Sequence, residues 1–361
     1  VKPKGRRHKD DSPPTGKVVR VLERHRKQIV GTLKKGRQFL YVIPDDPRMP
    51  QDIYVLPAKD TGRPARVGDK VVVELKQWEN RHKNPEGIIT EVLGPPTAEG
   101  VDMLGVIRQY DLPLKFPQKV LEEVRRYGTK VTAKDRKGRI DCRQHDVITI
   151  DPADARDFDD AFCLERVDDT LWKLWIHIAD VSHYVKPGSA LDEEARKRGN
   201  STYLVDRVVP MLPEALSNEL CSLKPHMDRL SKCVEFLIDK DGRVMRTRCY
   251  SAVIHSKLRY SYEEAMAVLE RRPENQIEDM LCDAARLALK IRKRRFQTGS
   301  LELDFPETKI RLDDHGRILR IEKVEYDESH QLIEEFMLLA NEAVATRLIK
   351  MKKHTIHRVH E

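Results

Sequence analysis

The chain has 361 residues, of which 39% are hydrophobic and 35% charged, and it carries a net charge of +8. This length allows two or three domains, each with its own core. We find no run of about 18 apolar residues and no charged-then-apolar leader, so we expect neither a transmembrane helix nor a secretory signal. We therefore expect a soluble, cytoplasmic protein without a membrane partner. Because the first residue is valine, we also expect a cut or processed chain.

The positive charge is concentrated at the N-terminal end. Residues 1–37 contain 13 Lys and Arg but only three acidic residues, so the remainder of the chain is slightly acidic. Such a segment attracts polyanions, most often nucleic acid, although a solvated tail has the same composition. Residues 1–15 contain three prolines and few apolar residues, which predicts a basic flexible arm.

Residues 16–95 predict a small β-barrel, because short β-branched runs alternate with Pro, Gly and Asp clusters. The predicted strands are Lys17–Leu22, Ile29–Leu33, Gln38–Ile43, Asp52–Leu56, Lys70–Leu75 and Gly87–Leu93. In the third strand, Phe39, Tyr41 and Ile43 share one face. A basic flank and strand aromatics favour an OB or cold-shock domain that binds single strands by stacking. The alternative places these aromatics in the barrel core.

The rest of the chain predicts a linker followed by an α+β domain. Gly94-Pro95-Pro96 ends the barrel pattern, and residues 96–140 form a linker with a connecting helix near Pro117–Tyr127. Residues 141–361 mix the two periodicities. We predict strands at Asp146–Asp151 and Leu171–Val181, a helix after the capping box Ser261–Glu264, and helices at Gln276–Gln297 and Ser329–Lys352. In the second strand, Trp172, Leu174, Ile176 and Ile178 share one face.

The six cysteines lie in apolar surroundings and form no C-x-x-C pair. No His pair with zinc-site spacing accompanies them. We expect reduced core thiols in a cytosolic protein.

The most informative segment is ITIDPADARDFDDAF, residues 148–162, which follows an apolar strand and re-enters an apolar run. Its five aspartates are Asp151, Asp154, Asp157, Asp159 and Asp160. A solvated acidic loop is normally polar throughout, whereas this pattern brings several carboxylates into one partly buried pocket. Two like charges about 4 Å apart repel by roughly 4 kcal/mol at an effective dielectric near 20, so the group needs a cation or shared protons.

The ligand chemistry narrows the choice of cation. Oxygen ligands without His or Cys favour Mg²⁺ or Mn²⁺ over zinc. No register of an EF-hand fits, and a phosphatase-type D-x-D needs a strand that leads into Asp157, whereas the strand here leads into Asp151. Carboxylate-held magnesium in a protein that attracts nucleic acid indicates phosphodiester hydrolysis by one or two metals. A structural acidic loop is the alternative.

Four separated motifs resemble the ribonuclease R / ribonuclease II (RNB) family of 3′→5′ exoribonucleases. They are TIDPADARDFDDA (149–161), HIADVSHYV (177–185), YLVDRVVPMLPEALSNELCSLKP (203–225) and LIEEFMLLAN (332–341). The preceding segments PDDPR (44–48) and GDKVVVEL (68–75) are similar to the family's second cold-shock domain. The resemblance covers nearly everything from about Gly16 onward.

The resemblance assigns the metal site. The family's four catalytic, metal-holding aspartates fall on Asp151, Asp157, Asp159 and Asp160. We expect the first, second and fourth to be the principal ligands and Asp159 to position the metal or the attacking water. Asp154 has no assigned role and is expected to be structural.

The resemblance also assigns RNA contacts. Tyr203 matches the tyrosine that stacks on or orients the 3′-terminal nucleotide, and Phe305 lies near the aromatic that clamps the terminal bases opposite it. Tyr262 and Glu334 match positions that contact ribose 2′-hydroxyls, which distinguish RNA from DNA. From the residues alone, Tyr203 is compatible with ordinary packing and Glu334 with an ordinary exposed glutamate.

The implied function is hydrolytic, processive degradation of single-stranded RNA to nucleoside 5′-monophosphates by a monomer. The family's catalytic arginine, first cold-shock domain and C-terminal RNA-binding domain have no counterpart here, so we expect a fragment of a longer protein or a truncated form. A non-catalytic RNA-binding module is the alternative from another class, and a DNA exonuclease is a third. The aspartates disfavour the RNA-binding module, and the implied ribose contacts disfavour the DNA exonuclease.

Overall fold

A computed structural model describes residues 2–3, 16–17, 19, 28–56, 61, 63–76, 78, 83–301, 308–313, 317–323 and 325–357. The chain forms two compact units. The first comprises Val1–Pro113, Leu204–Asp206 and Leu312–Leu319, and the second comprises Leu114–Tyr203, Arg207–Arg311 and Arg320–Glu361.

The first unit is built on a closed five-stranded barrel, as the sequence predicts. A short antiparallel pair, β1 (Lys2–Pro3) and β2 (Gly16–Lys17), precedes the strands β3 (Gln28–Lys35), β4 (Leu40–Pro44), β5 (Ile53–Val55), β6 (Lys70–Leu75) and β7 (Glu86–Gly94). The barrel order is β3-β4-β5-β7-β6. Five of the six predicted strands are confirmed, and most of Lys17–Leu22 lies outside the described residues.

The side chains of β4 and its neighbours alternate between the barrel core and its outer surface. Val42 is fully buried with Ile53 in the core, whereas Phe39 is 51% and Tyr54 40% exposed. The ring of Phe39 lies 5.0 Å from that of Tyr54 and 6.1 Å from that of Tyr41, centroid to centroid. These three rings form an aromatic patch on the outside of the barrel. The alternative prediction, which placed the strand aromatics in the core, is therefore wrong.

Helix α1 (Val101–Gln109) packs on the barrel. Val101 lies in a small apolar cluster with Val30, Val72 and Leu93, and Leu104 packs against it. Arg108 donates two hydrogen bonds to the carboxylate of Glu91 on β7. The first helix of the expected linker is thus joined to the barrel by apolar contacts and an ion pair.

The second unit is a seven-stranded sheet with helices packed against it. Its helices are α2 (Gln118–Arg126), α3 (Ala133–Arg136), α4 (Val181–Tyr184), α5 (Ala190–Arg198), α6 (Tyr262–Leu269), α7 (Gln276–Gln297) and α8 (Glu328–Lys350), and Ala215–Leu220 is a π-helical segment. Its strands are β8 (Ile140–Asp141), β9 (Ile148–Asp151), β10 (Asp160–Arg166), β11 (Leu171–Ala179), β12 (Thr202–Tyr203), β13 (Val208–Val209), β14 (Asp228–Asp239), β15 (Val244–His255) and β16 (Leu258–Ser261). The residues of two further strands, β17 (Thr308–Leu312) and β18 (Ile318–Lys323), are divided between the two units.

The order of the large sheet places β9 next to β10 and β16. It runs β16-β9-β10-β11-β14-β15-β8, and β12-β13 and β17-β18 form separate two-stranded sheets. Within the large sheet, β16 is parallel to β9 and β8 is parallel to β15, and the other neighbours are antiparallel. The acidic loop therefore begins and ends inside the sheet.

The centre of β11 is buried on both faces, which the predicted one-sided pattern did not indicate. Leu174 and Ile176 are buried as predicted, but Trp175 and His177 on the opposite face are buried too. Trp175 lies against the ring of His145, 4.5 Å away between centroids, because the segment before β9 covers this side.

The predicted helices of the second unit are found close to their predicted boundaries, whereas α3, α4, α5 and the π-helical segment were not predicted. Helix α7 has the predicted ends, and α8 is displaced from its prediction by one residue at the start and two at the end. Leu332, Phe336 and Ala340 form the buried face of α8. None of the helices among the described residues has the length and apolar character needed to cross a membrane. All six cysteines are free, and four of them are buried.

Burial of His177 makes the stability of the second unit depend on pH. Its Nδ1 lies 3.1 Å from the hydroxyl of Ser231, and burial, with the nearby His145, lowers its pKa to about 3. Below pH 6.5 the unfolded chain binds a proton that the folded chain does not. As the pH falls from 6.5 to 3, we expect His177 to lower the free energy of unfolding by up to about 1.4 kcal/mol per pH unit. Urea unfolding at pH 7 and pH 5, followed by tryptophan fluorescence, measures this loss.

The matched comparison is His177→Phe with His354→Gln, because His354 is exposed. The stability of His177→Phe should change less between pH 7 and pH 5 than that of the wild type or of the control. Equal changes in all three proteins would show that His177 is not responsible.

Candidate active site

The acidic loop connects two neighbouring strands. Asp151 is the last residue of β9 and Asp160 the first of β10, so the two carboxylates leave adjacent strand ends. The parallel strand β16 lies on the other side of β9, and its last residue, Ser261, is paired with Asp151. This edge of the sheet thus collects the loop and the start of α6.

Three of the five aspartates converge. Asp151, Asp159 and Asp160 each offer a carboxylate oxygen, and these oxygens all lie within 4.8 Å of one another. The residue Asp151 is only 7% exposed. Asp157 is exposed and lies outside this group, although its charge acts on Asp151 and Asp159. We refer to Asp151, Asp159 and Asp160 as the acidic cluster.

The electrostatics of the acidic cluster favour binding of a positive charge. Burial, with the charges of Asp159 and Asp157, raises the pKa of Asp151 to about 7. Burial also raises the pKa of Asp160, and the neighbouring charges of Asp159 and Asp151 raise it further. The pKa of Asp159 is raised by the loss of solvation around its carboxylate and by the charge of Asp157. A bound cation would favour the ionised carboxylates and so oppose all three shifts.

Two oxygens of the acidic cluster are buried without a hydrogen-bond partner among the described residues. They are Oδ2 of Asp151 and Oδ2 of Asp160. A buried carboxylate oxygen is normally satisfied, because leaving it unpaired costs about 1–3 kcal/mol or more. Carboxylate oxygens that are buried without a partner are suitable ligands for a hard divalent cation such as Mg²⁺ or Mn²⁺.

The middle of the acidic loop is fixed by a serine from the segment before β14. The Ser222 hydroxyl accepts a hydrogen bond from the Phe158 N–H at 3.0 Å and donates one to the Arg156 carbonyl at 2.8 Å. Next to it, the Leu223 N–H donates to the Phe158 carbonyl. Because Asp159 directly follows Phe158, these bonds fix the backbone from which its carboxylate extends.

Two positively charged side chains bind the first half of the acidic loop. Arg259 on β16 donates a 2.6 Å hydrogen bond to the Pro152 carbonyl, and its positive charge lowers the pKa of Asp151. Lys309 on β17 lies 3.1 and 3.2 Å from the two carboxylate oxygens of Asp154. In this structure Asp154 therefore links the acidic loop to β17 through its ion pair with Lys309. Sequence reasoning missed Ser222, Arg259 and Lys309, since each lies far along the chain from its partner.

Both predicted tyrosines lie within electrostatic range of the acidic loop. Tyr203, on the short strand β12, is 70% exposed, and its pKa is raised by partial burial and by the charges of Asp157 and Asp159. Tyr262 is the first residue of α6, and burial and the charges of the acidic cluster raise its pKa to about 12. An exposed ring and a half-buried phenol thus accompany the carboxylates.

Of the remaining two predicted contacts, Glu334 lies among the described residues and Phe305 does not. Glu334 on α8 is half-exposed and lies 3.9 Å from Arg292 and 3.7 Å from Arg295, so it has cationic neighbours of its own. The adjacent Glu335 is 1% exposed and accepts hydrogen bonds from both arginines, which fixes this part of the helix. Phe305 lies outside the described residues.

Two family models match the chain, the RNB domain over residues 139–361 and the cold-shock domain over residues 41–117. Ribonuclease R of Thermotoga maritima is 42% identical over 355 residues, which are 96% of this chain and 50% of the relative. Ribonuclease R of Escherichia coli is 37% identical, with 96% of this chain and 43% of the relative covered. The chain therefore spans about half the length of the curated relatives it matches.

Solved structures agree with this comparison. Mycoplasma genitalium RNase R in complex with ribose methylated single-stranded RNA matches with a TM-score of 0.86 and 27% identity, over 97% of this chain and 56% of that one. The complex of the same protein with double-stranded RNA gives 0.85 over 95% and 61%. Yeast Ssd1, a pseudonuclease, matches with a TM-score of 0.70 at 19% identity, over 91% of this chain and 42% of that one, which is a similarity of fold alone.

Proposed function

Because this chain belongs to the RNB family, we propose that its protein is a hydrolytic exoribonuclease that shortens single-stranded RNA from the 3′ end. It releases nucleoside 5′-monophosphates and acts processively. The organisation we propose is a basic arm at residues 1–15, a barrel at 16–95, a connecting segment at 96–140 and the catalytic domain from residue 141 onward.

The acidic cluster is the observation that carries the proposal. Three carboxylates converge, and two of their oxygens are buried without a partner among the described residues. A protein that only binds RNA gains nothing from negative charge where phosphates approach, since the two repel each other. A metal-dependent nuclease needs such carboxylates to hold a divalent cation at the scissile phosphate.

The proposed roles follow from the positions of the side chains. Asp151 and Asp160 hold the cation with their buried oxygens, Asp159 fixes the cation or the attacking water, and Asp157 contributes from the rim of the site. When bound, Mg²⁺ or Mn²⁺ would supply the charge that activates water and offsets the leaving 3′ oxygen. Tyr203 orients the terminal nucleotide with its exposed ring.

Two further side chains are proposed to contact ribose. Tyr262 reaches a 2′-hydroxyl from beside the acidic cluster, and Glu334 reaches one from α8. Phe305 is proposed to stack on the terminal bases opposite Tyr203. A hydroxyl that pairs with a protein group inside the site separates RNA from DNA, because a deoxyribose leaves that group unpaired.

The test of the proposed function is an RNA-shortening assay on the intact protein. A 5′-labelled single-stranded RNA with a 3′ tail is incubated with Mg²⁺, and a parallel sample contains EDTA. We expect a ladder of shortened products in Mg²⁺ and none in EDTA. RNA that stays intact although it is bound would indicate a binding protein without catalysis, and equal shortening of a DNA strand would contradict the specificity for RNA.

We expect the aromatic patch of the barrel to bind single-stranded RNA by stacking. Removing one stacking ring costs about 1–3 kcal/mol per base, so Phe39→Ala should weaken binding roughly fivefold to a hundredfold. Fluorescence anisotropy with a labelled single-stranded RNA measures the affinity. Val67→Ala, which also trims an exposed apolar side chain of this unit but lies outside the patch, should bind as the wild type does. If both variants bind equally well, the patch is not an RNA contact.

A further inference from the structure

His330 packs against Tyr262, one of the two tyrosines of the candidate active site. The rings of Tyr262 and His330 are stacked, with centroids 3.9 Å apart and planes inclined by 9°. His330 belongs to the first turn of α8, and the functional roles proposed above do not use it. Face-to-face packing at this distance allows the phenol ring little freedom to tilt.

The histidine is itself anchored. Its Nδ1 lies 2.8 Å from Oδ1 of Asp327, the N-cap of α8. The same carboxylate oxygen accepts hydrogen bonds from the Ser329 hydroxyl at 2.6 Å and from the Ser329 N–H at 3.0 Å. Ser329 is fully buried, so the carboxylate that anchors His330 is itself bonded to a residue of the core.

The backbone of Tyr262 is fixed just as firmly. It follows Ser261, which is paired with Asp151 across two parallel strands. Ser261 also forms a capping box with Glu264, with reciprocal hydrogen bonds of 2.7 and 3.1 Å. The backbone therefore holds Tyr262 at the edge of the acidic cluster, and the rotation of its ring is the freedom that remains. The stack with His330 removes that freedom.

We infer that His330, held by Asp327, is a positioning residue that fixes the Tyr262 hydroxyl for recognition of a ribose 2′-hydroxyl. This inference rests on the proposed function, because it takes the substrate to be RNA. The pair acts through Tyr262 and does not touch the reacting atoms. If the ring of Tyr262 could rotate, its hydroxyl would lose the hydrogen bond to the ribose, whereas a deoxyribose could still enter the site.

The variants separate stacking from anchoring. His330→Ala removes the stacked ring, whereas His330→Phe keeps a flat ring and loses only the bond to Asp327. Asp327→Asn keeps an N-cap residue of equal quality, so the helix is retained, and weakens only the hold on His330. Tyr262→Phe removes the hydroxyl itself and sets the size of the full effect.

The experiment measures binding in EDTA, so that it does not depend on catalysis. Two labelled oligonucleotides of one sequence are compared on the intact protein by anisotropy, an all-ribose RNA and the same RNA with 2′-deoxyribose in its last five nucleotides. The readout is the ratio of the two dissociation constants. We expect the wild type to prefer ribose, and we expect Tyr262→Phe and His330→Ala to reduce that preference by roughly fivefold to tenfold.

The pattern across variants decides the outcome. We expect His330→Phe and Asp327→Asn, which both weaken only the anchor of the stacked ring, to reduce the preference by about twofold to threefold. We expect the double variant His330→Ala with Tyr262→Phe to lose no more than Tyr262→Phe alone. Loss of affinity for both oligonucleotides at an unchanged ratio would indicate a merely structural role and overturn the inference. A wild type without any preference for ribose would overturn it as well.

Failure of the proposed function gives a different result. If the protein leaves RNA intact in Mg²⁺ but prefers ribose in a way that depends on His330, the inference stands and the exonuclease proposal falls. If RNA is shortened while His330→Ala keeps the full preference, the exonuclease proposal stands and the inference falls.

Discussion

We expect the variant Asp159→Asn to lose RNA shortening by a factor of about 1,000 or more and to bind RNA as tightly as the wild type. The exchange keeps the shape of the side chain but removes one of the three charges of the acidic cluster. Asp159 is the most exposed residue of the three, and its proposed role is to position the cation or the attacking water. Gel analysis of 5′-labelled RNA over time in Mg²⁺ measures the rate, and anisotropy measures the affinity.

The control for this variant is Asp154→Asn, the same chemical change five residues earlier in the same loop. Asp154 bonds to Lys309 and lies outside the acidic cluster, so its variant should shorten RNA within about threefold of the wild-type rate. A rate for Asp159→Asn within tenfold of the wild type would exclude a catalytic role for this carboxylate. Loss of RNA binding in the same variant would point to a damaged fold instead.

Local signals predicted the elements whose boundaries are set within a few residues. Helix α7 begins after Asn275, whose side chain accepts hydrogen bonds from the N–H groups of Ile277 and Glu278, and it ends shortly before Gly299. The capping box at Ser261 starts α6 where the sequence places it. The fold class, a small OB or cold-shock barrel followed by an α+β domain, is confirmed by the structure and by the family matches.

Contacts between distant segments could not be predicted in this way. Arg259 and Lys309 reach the acidic loop from 107 and 155 residues away, and nothing near them in the sequence indicates their partners. Aspartate spacing did not show which carboxylates meet either. Asp151 and Asp160 meet because β9 and β10 are neighbours, whereas Asp157 lies in the loop between those strands. The alternation of side chains along β4 was compatible with aromatic side chains either in the core or on the outer surface. Only the closure of the barrel determines that they lie outside.

Replacing Asp151 by Asn should weaken binding of Mg²⁺ and stabilise the metal-free fold at the same time. Asp151 is the most buried residue of the acidic cluster, and one of its oxygens has no partner among the described residues. Removing a charged ligand should weaken cation binding about a hundredfold or more. Since the folded-state pKa of about 7 lies above that of a free aspartate, ionisation of Asp151 costs folding free energy at pH 8. A neutral side chain avoids this cost, so the free energy of unfolding without metal should rise by roughly 1–3 kcal/mol.

Thermal unfolding at pH 8, with and without Mg²⁺, measures both effects, and isothermal titration calorimetry gives the affinity. The wild type and the Asp154→Asn control should gain stability when Mg²⁺ is added, as expected of any ligand that binds only the folded state. Asp151→Asn should start from a higher midpoint and gain little. The two changes have opposite signs, so general damage to the fold, which lowers both midpoints, does not imitate them. If Asp151→Asn were less stable without metal and still stabilised by Mg²⁺, Asp151 would be a packing residue and the cation would have to be held by other ligands.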